Sequence, residues 1–207
     1  TRFRKSSKIC MIKDSFFHRT WINLDTSARC PLECIQCARQ KNFRNKGLAV
    51  PGFDLSKSDF IKLTDWFKKI NFCGQYSDPV HHPKFLEFLN ICYDKEVKVA
   101  VSCASSFKPE SFYYKAFESH TEAEWMFGIT GLPEESNKYR INQDGAKLFK
   151  IMSNWEKYLK TRPTWQYIVF SYNEYHIEQA RKMAAEIDVN FNLLNTGRFN
   201  TWNDDWL

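Results

Sequence analysis

Segments in which every second residue is apolar alternate along this chain with segments in which apolar residues recur every three or four positions. Residues 21–26 alternate like a half-buried strand, and residues 60–70 carry apolar side chains at helical spacing. The same order recurs, and we predict strands at residues 21–26, 70–73, 97–102, 125–130, 165–170 and 191–194. Strands that alternate with helices pair in parallel through right-handed crossovers, and six units are too few to close an eight-stranded barrel. The sequence therefore predicts an α/β fold, a partial (β/α)6 parallel barrel equivalent to three quarters of a TIM barrel.

The intervening helices have start signals and apolar faces. Ser56 precedes Asp59 by three residues, which predicts an N-cap, and Pro83 and Pro109 precede two further helices. Three of the predicted helices have an apolar face at helical spacing. The first has Phe60, Leu63, Phe67 and Ile70 on that face. The fourth has Leu148, Ile151, Trp155 and Leu159, and the fifth has Ile177, Ala180, Ala184 and Ile187.

The chain has 207 residues, of which 43% are hydrophobic and 16% aromatic, enough for one well-filled core. We expect residues 21–199 to form the barrel, residues 1–20 an N-terminal extension and residues 200–207 a C-terminal tail. No apolar run approaches the roughly 18 residues of a membrane span, and we identify no secretory signal. We therefore expect a cytoplasmic protein that does not bind a membrane.

Three cysteines, Cys30, Cys34 and Cys37, follow the first predicted strand as Cys-x-x-x-Cys-x-x-Cys. Three thiolates at this spacing suit three corners of a cubane iron–sulfur cluster and leave the fourth iron open for chemistry. A structural zinc site would need a fourth ligand, for which His81 and His82 are candidates. Disulfides are disfavoured because the seven cysteines form an odd set and we expect a reducing compartment. The triplet favours an iron–sulfur cluster, with zinc as the alternative.

The net charge of the chain is positive. There are 30 Lys and Arg against 24 Asp and Glu, a net charge of +6, and the excess is concentrated in the first fifty residues. Such a bias is typical of a solvated surface, and it also suits an acidic redox partner, an acidic peptide or a nucleic acid. Charge alone therefore leaves the partner open.

Polar residues follow the predicted strands at their C-terminal ends. Residues 73–79 read Cys-Gly-Gln-Tyr-Ser-Asp-Pro, residues 102–106 read Ser-Cys-Ala-Ser-Ser, and residues 130–131 read Thr-Gly. Because the C-terminal ends of parallel strands meet at one edge, we expect these segments to converge with the cysteine triplet. Cys103 would then be a thiol on the rim of the site, exposed enough to contact substrate or to donate a hydrogen atom.

The triplet after a first strand, the Gly-x-x-Ser-Asp-Pro turn at residues 74–79 after a second, and six strand–helix units resemble the radical S-adenosylmethionine (radical SAM) superfamily. The resemblance covers nearly the whole chain. Residues 128–132, 139–140 and 172–174 look like the subgroup whose members often modify peptides. No cysteine follows Leu194 in the sequence, so we do not expect the auxiliary clusters of that subgroup.

The resemblance implies an enzyme that binds one [4Fe-4S] cluster through Cys30, Cys34 and Cys37, with S-adenosylmethionine (SAM) at the open iron. Reductive cleavage of SAM would give a 5′-deoxyadenosyl radical that abstracts hydrogen from a substrate. A peptide or protein substrate is favoured over a nucleic acid or nucleotide, and the electron would come from a donor of the flavodoxin or ferredoxin type. The alternative is a non-catalytic iron–sulfur protein that binds or senses through its cluster.

The resemblance also implies a set of SAM contacts. The residues expected to contact SAM are Gln36, Gly74, Gln75, Tyr76, Ser77, Asp78, Pro79, Ser102, Thr130 and Arg140. Asp78, with the backbone of the turn, would hold the amino group of the cofactor, and Arg140 would pair with its carboxylate. Ser102 and Thr130 would reach the ribose or the carboxylate. Gln36 departs from the family pattern, because an aromatic residue usually precedes the last cysteine.

Overall fold

The computed structural model describes residues 20–195, which contain one six-stranded sheet with helices between its strands. The strands are β1 (Trp21–Leu24), β2 (Lys69–Phe72), β3 (Lys98–Cys103), β4 (Glu124–Gly128), β5 (Thr164–Val169) and β6 (Asn190–Asn195). They pair in sequence order, and every neighbouring pair is parallel. This arrangement confirms the predicted α/β fold, a partial (β/α)6 barrel whose edge strands are β1 and β6.

Helices occupy each connection between consecutive strands. They are α1 (Ala38–Asn42), α2 (Lys57–Trp66), α3 (Phe85–Asp94), α4 (Glu110–Ser119), α5 (Gly145–Ser153) and α6 (Ile177–Glu186). Both α1 and α2 connect β1 to β2. The predicted N-cap of α2 is confirmed, because the Ser56 hydroxyl accepts a hydrogen bond from the backbone N–H of Asp59 at 3.1 Å.

Side chains alternate along each strand, and one of the two sets packs against the helices. Val101, Trp125 and Tyr167 belong to this set and are fully or almost fully buried. On the helices that cover them, Phe60 and Phe88 stack with their ring centroids 4.0 Å apart. The other set faces the inner side of the curved sheet, so its polar members are available to a site there.

Two predicted helices extend too far. Phe67 is the C-cap of α2, and Ile70 belongs to β2. Similarly, α5 ends before Trp155, which begins a 3-10 turn, yet Trp155 and Leu159 still pack in the core. Apolar spacing reports which side chains are buried, whereas the end of a helix depends on the backbone hydrogen bonds.

Part of the predicted organisation lies outside the described residues. This applies to residues 1–19 of the extension, to residues 196–199 at the end of the predicted barrel, and to the tail at residues 200–207. Cys10 also lies there. Within residues 20–195, no helix combines the length and the apolar character needed to cross a membrane.

Candidate functional site

A cavity of about 470 Å³ lies at the C-terminal ends of the strands, where parallel α/β sheets commonly bind ligands. Eleven of the residues predicted for the site line it, namely Cys30, Cys34, Cys37, Gly74, Gln75, Tyr76, Ser77, Asp78, Ser102, Cys103 and Arg140. Gln36, Pro79 and Thr130 are not among the residues that line this cavity. The structure therefore brings the triplet and the turn after β2 to one cavity.

The cysteine loop (residues 30–37) is held against the segment that follows β4. The backbone N–H of Glu33 donates to the carbonyl of Ile141 at 3.1 Å, and the N–H of Ile35 donates to the carbonyl of Tyr139 at 3.3 Å. The helix α1 begins directly after the loop. Contacts on both sides therefore fix the loop that presents the three thiols.

Arg39, in α1, holds the same loop from within. Its Nη1 donates to the carbonyl of Cys30 at 2.6 Å, and its Nη2 donates to the carbonyl of Leu32 at 2.7 Å. Gln40 also donates to the carbonyl of Leu32, at 3.2 Å. Sequence reasoning included Arg39 only in the positive excess of the first fifty residues, because neither a motif nor its spacing marks it as buried.

The environment of the triplet keeps two of its thiols protonated in the absence of metal. Burial, together with the nearby Asp78 carboxylate, raises the pKa of Cys30 to about 12 against an opposing effect of Arg39. Burial also raises the pKa of Cys34, which Arg140 opposes. A metal bound by these thiols would therefore have to displace their protons.

The predicted alternative, a zinc site, has no support from the candidate histidines. The ring of His81 is hydrogen-bonded to the Ser105 hydroxyl at 2.7 Å, and the ring of His82 to the Leu55 carbonyl at 3.2 Å. Among residues 20–195, no three His, Cys, Asp or Glu side chains converge closely enough to hold one metal ion. Thiolates that bind separate irons of a cubane do not have to converge on one point.

The turn at residues 74–77 is organised by Asp25, which follows β1. The Asp25 carboxylate accepts hydrogen bonds from the backbone N–H groups of Gln75, Tyr76 and Ser77 at 3.1–3.2 Å, and from the Ser77 hydroxyl at 2.9 Å. Sequence reasoning missed Asp25, although an acid directly after a strand whose C-terminal end faces the site was a usable signal.

Gly74 gives this turn its shape. Its φ is +63°, a left-handed conformation that side chains other than glycine rarely adopt, and an added Cβ would lie 2.8 Å from the carbonyl oxygen of Ser77. Glycine at this position is therefore required by both conformation and space. Pro79, five residues later, begins a buried 3-10 turn behind the cavity, so its contribution is to the path of the chain.

Asp78 is buried and already engaged with the backbone. Its Oδ2 accepts hydrogen bonds from the N–H groups of Ala104 and Ser105 at 2.8 and 2.7 Å, and its Oδ1 accepts one from Val80 at 3.3 Å. The carboxylate thus ties the turn after β2 to the end of β3. It also lines the cavity, and contact with the amino group of SAM stays a prediction that would add to these bonds.

Arg140 lines the cavity, and Thr130 contacts its guanidinium. Its Nε donates to the Thr130 hydroxyl at 3.0 Å, and Gly128 leaves room for the guanidinium, because a Cβ there would lie 2.7 Å from Nη2. Thr130 itself is fully buried. Contact between Thr130 and the cofactor stays a prediction, and the structure shows its hydroxyl supporting the guanidinium of Arg140.

Cys103 is not the exposed rim thiol that the sequence predicts. The strand β3 continues through Cys103, which borders the cavity but belongs to the same buried core cluster as Val101; it is 1% exposed and its thiol donates to the carbonyl of Ser105 at 3.6 Å. Burial raises its pKa well above the usual range. The more exposed thiol at this edge is Cys73, which lines the cavity and donates to Asp25 at 3.8 Å.

The cavity wall away from the cysteines is formed by uncharged side chains. Asn23, Met126, Gln166, Ile168 and Leu194 belong to this part of the wall. The Nε2 of Gln166 donates to the thioether sulfur of Met126 at 2.8 Å, a weak acceptor for an amide. The charged members of the wall, by contrast, belong to α1, to the turn after β2 and to the segment after β4.

Comparison of the sequence with models of protein families and with curated proteins finds no match. Comparison of the structure with solved protein structures finds similar folds. SuiB from Streptococcus suis matches with a TM-score of 0.68 and 10% sequence identity. The match covers 90% of this chain and 42% of the SuiB chain. Methylornithine synthase (PylB) matches with a TM-score of 0.59 and 14% identity, over 86% of this chain and 54% of that enzyme.

A radical SAM methyltransferase from Sphaerobacter thermophilus matches with a TM-score of 0.55 and 9% sequence identity. The match covers 88% of this chain and 68% of the methyltransferase chain. At these identities the similarity is one of fold. The chain is structurally similar to radical SAM enzymes over most of its length, and it spans about two fifths of the length of SuiB.

Proposed function

We propose that this protein is a radical SAM enzyme that binds one [4Fe-4S] cluster through Cys30, Cys34 and Cys37 and binds SAM beside it. The observation that carries the proposal is that the three thiols and the turn at residues 74–77 line one cavity of a partial parallel barrel. The donor set fits the cluster by its chemistry, because three cysteine thiols of one loop line the cavity and can bind three irons while the fourth stays open.

When bound, the cluster and SAM supply reductive cleavage to a 5′-deoxyadenosyl radical, which abstracts a hydrogen atom from the substrate. The chain's residues bind and orient. Asp25 engages the N–H groups of the turn, so the carbonyl oxygens of Gly74, Gln75 and Tyr76 are left as acceptors for the ammonium group of SAM. Ser102 supplies a hydroxyl for the ribose.

Arg140 would bind the carboxylate of the cofactor. Thr130 accepts from its Nε, which fixes the guanidinium and leaves the Nη groups for an anion. Reduction of the cluster needs an external electron, and a flavodoxin or ferredoxin type of protein is the donor class that we propose.

For the substrate we favour a peptide or protein. The amide groups of Asn23 and Gln166 in the inner wall offer both donors and acceptors, as the backbone of a peptide does. SuiB, which has a similar fold, is known bound to the precursor peptide SuiA. In the described part of the basic N-terminal region, Arg29 and Arg44 pair with carboxylates, so part of the positive charge there is already neutralised.

The test is anaerobic. The protein is reconstituted with iron and sulfide, reduced with dithionite and supplied with SAM, and 5′-deoxyadenosine is measured by chromatography. We expect the product from the wild type and none from Cys34→Ala, since two thiolates rarely retain a cluster. The control is Cys92→Ala, which removes a buried thiol of α3 and should retain the cluster.

The other outcomes contradict the proposal in different ways. A cluster whose spectrum does not respond to SAM, without 5′-deoxyadenosine, would favour a non-catalytic iron–sulfur protein. Full iron content in Cys34→Ala would overturn the assignment of the triplet.

A further inference from the structure

Arg39 is a buried cation at the cavity. Its side chain donates to two carbonyls of the cysteine loop, its Nε is buried without a hydrogen-bond partner, and the residue is 2% exposed. Carbonyl oxygens are neutral acceptors, so these contacts orient the guanidinium but do not neutralise its charge. A buried charge without a counter-charge is strongly unfavourable.

The other arginines emphasise the contrast. Six arginines lie in residues 20–195, and four of them, Arg29, Arg44, Arg162 and Arg181, pair with a carboxylate. Arg39 and Arg140 have no carboxylate of the described chain within ion-pair distance, and both line the cavity. Asp78 is the only carboxylate among the described residues that line the same cavity, so two cations and one anion face this space, and the remaining positive charge favours an anionic occupant.

The charge of Arg39 acts on the triplet itself. Its Nη1 donates to the carbonyl of Cys30, a proposed cluster ligand, at 2.6 Å, so the cation lies beside the loop that would hold the cluster. A cubane held by three thiolates is anionic, and it gains one further negative charge when it accepts an electron. A fixed cation beside it stabilises the reduced form more than the oxidised form.

We propose that Arg39 is the counter-charge of the cluster and raises its reduction potential, so that an external donor can reduce it. This inference rests on the proposed function. In the step concerned, one electron passes from the reduced donor protein to the cluster, the donor is oxidised, and no proton is needed. Arg39 is a positioning residue, because it acts through the cysteine loop and its field.

The experiment compares midpoint potentials in reconstituted protein by an anaerobic redox titration monitored by electron paramagnetic resonance. Arg39→Gln keeps an amide donor and removes the charge, whereas Arg39→Lys keeps the charge. Arg44→Gln is the matched control, because Arg44 lies after the same loop and pairs with the exposed Glu33.

We expect Arg39→Gln to lower the ratio of reduced to oxidised cluster about tenfold at a fixed potential, a shift of about 59 mV for one electron. Arg39→Lys should stay close to the wild type, and Arg44→Gln should match it. A loaded Arg39→Gln protein with the potential of the wild type would overturn the inference.

A failure to load cluster is also informative. If Arg39→Gln loses the cluster and Arg39→Lys keeps both the cluster and the potential, the charge is required, as proposed. If both variants lose the cluster equally while Arg44→Gln keeps it, Arg39 only supports the loop, and the inference fails. Absence of a cluster in the wild type would instead contradict the proposed function.

Discussion

A single carboxylate, that of Asp25, fixes the backbone of a turn fifty residues away in the sequence. Three consecutive N–H groups and one hydroxyl of that turn donate to it. With the donors engaged on one side, the turn presents its carbonyl oxygens on the other, as a bound ammonium requires. The proposed binding of SAM therefore depends on a residue outside the turn that makes the contacts.

Removal of this carboxylate by Asp25→Ala should weaken SAM binding without loss of the cluster. The turn would lose the acceptor for four donors, and we expect SAM affinity to fall at least tenfold, about 1.4 kcal/mol. Calorimetric titration of reconstituted protein, with an iron assay, measures both properties. The control is Asp65→Ala, which removes an exposed carboxylate paired with Lys95. Unchanged SAM affinity in Asp25→Ala would contradict this role.

Gly74 provides a second test at the scale of one residue. Gly74→Ala adds both the strain of a left-handed φ and a contact of 2.8 Å with the Ser77 carbonyl oxygen. Gly47→Ala is the matched variant, because φ is +68° there and nothing lies within 4 Å of an added Cβ. We expect losses in the free energy of unfolding of about 1 kcal/mol for Gly47→Ala and roughly 2–3 kcal/mol for Gly74→Ala. Urea denaturation measures both, and equal losses would show that the close contact relaxes freely.

Site residues that belong to a short sequence motif were predictable from the sequence, whereas site residues whose partners lie far away in the sequence were missed. The spacing of the cysteine triplet and the Gly74 turn are visible in short segments, and the structure brings them together. Asp25 and Arg39 have no such pattern, because their roles depend on the turn after β2 and on burial of α1. Burial of an arginine is rare enough that composition alone predicts a surface residue.

At the scale of elements, alternation within β3 separates neighbouring side chains. Ser102 and Cys103 both border the cavity, but Ser102 is half-buried, whereas Cys103 is buried in the core cluster with Val101. The predicted strand ended at residue 102, which left Cys103 in a loop of undefined burial. Because β3 includes one further residue, the thiol is buried and not exposed on the rim.

Thiol labelling tests the burial of Cys103. In native metal-free protein we expect N-ethylmaleimide to modify Cys73 well before Cys103, because Cys73 is partly exposed and Cys103 is 1% exposed. Mass spectrometry of digested samples gives the rate at each site. Labelling in guanidinium, where both thiols are accessible, is the control. Equal rates in the native protein would refute the burial of Cys103.

Other limits of sequence reasoning also belong to this scale. The helix α1 has only five residues, too few for a recognisable period, and the sequence analysis did not predict it. The predicted helix that includes Trp155 continues the apolar spacing of α5 across a 3-10 turn, because the same side chains reach the core from either conformation. Periodicity therefore identified these core residues better than the ends of the helices.

The molecule as a whole has one main core between the sheet and its helices, and Phe117 of α4 is central to it. Its ring lies 4.9 Å from that of Trp125 and 6.3 Å from that of Phe127, centroid to centroid. Phe117→Ala should cost about 3–5 kcal/mol in the free energy of unfolding. Phe107→Ala, at a 53% exposed residue, should cost less than about 0.5 kcal/mol.

Chemical denaturation followed by both far-UV circular dichroism and tryptophan fluorescence measures these changes. Because strands and helices share one core cluster, we expect the two signals to report the same transition in each variant. Transitions that separate for Phe117→Ala but not for Phe107→Ala would show that part of the barrel unfolds independently.

The overall architecture was predictable from the sequence because it depends on an order of local patterns. Six strand segments alternating with helices leave few alternatives once parallel pairing and right-handed crossovers are required. The distribution of charge at the site was not predictable in this way. It depends on which side of α1 and of the segment after β4 faces the sheet, and hence on packing between distant residues such as Ile35 and Tyr139.

The contacts of the cysteine loop with the segment after β4 also bear on the order of events during synthesis. The thiols leave the ribosome before the carbonyls of Tyr139 and Ile141 that fix the loop, which follow about 100 residues later. During that interval the loop lacks the contacts that hold it in the folded protein. If the triplet binds the proposed cluster, a loop of the right shape would therefore be ready for it only after most of the barrel has been made.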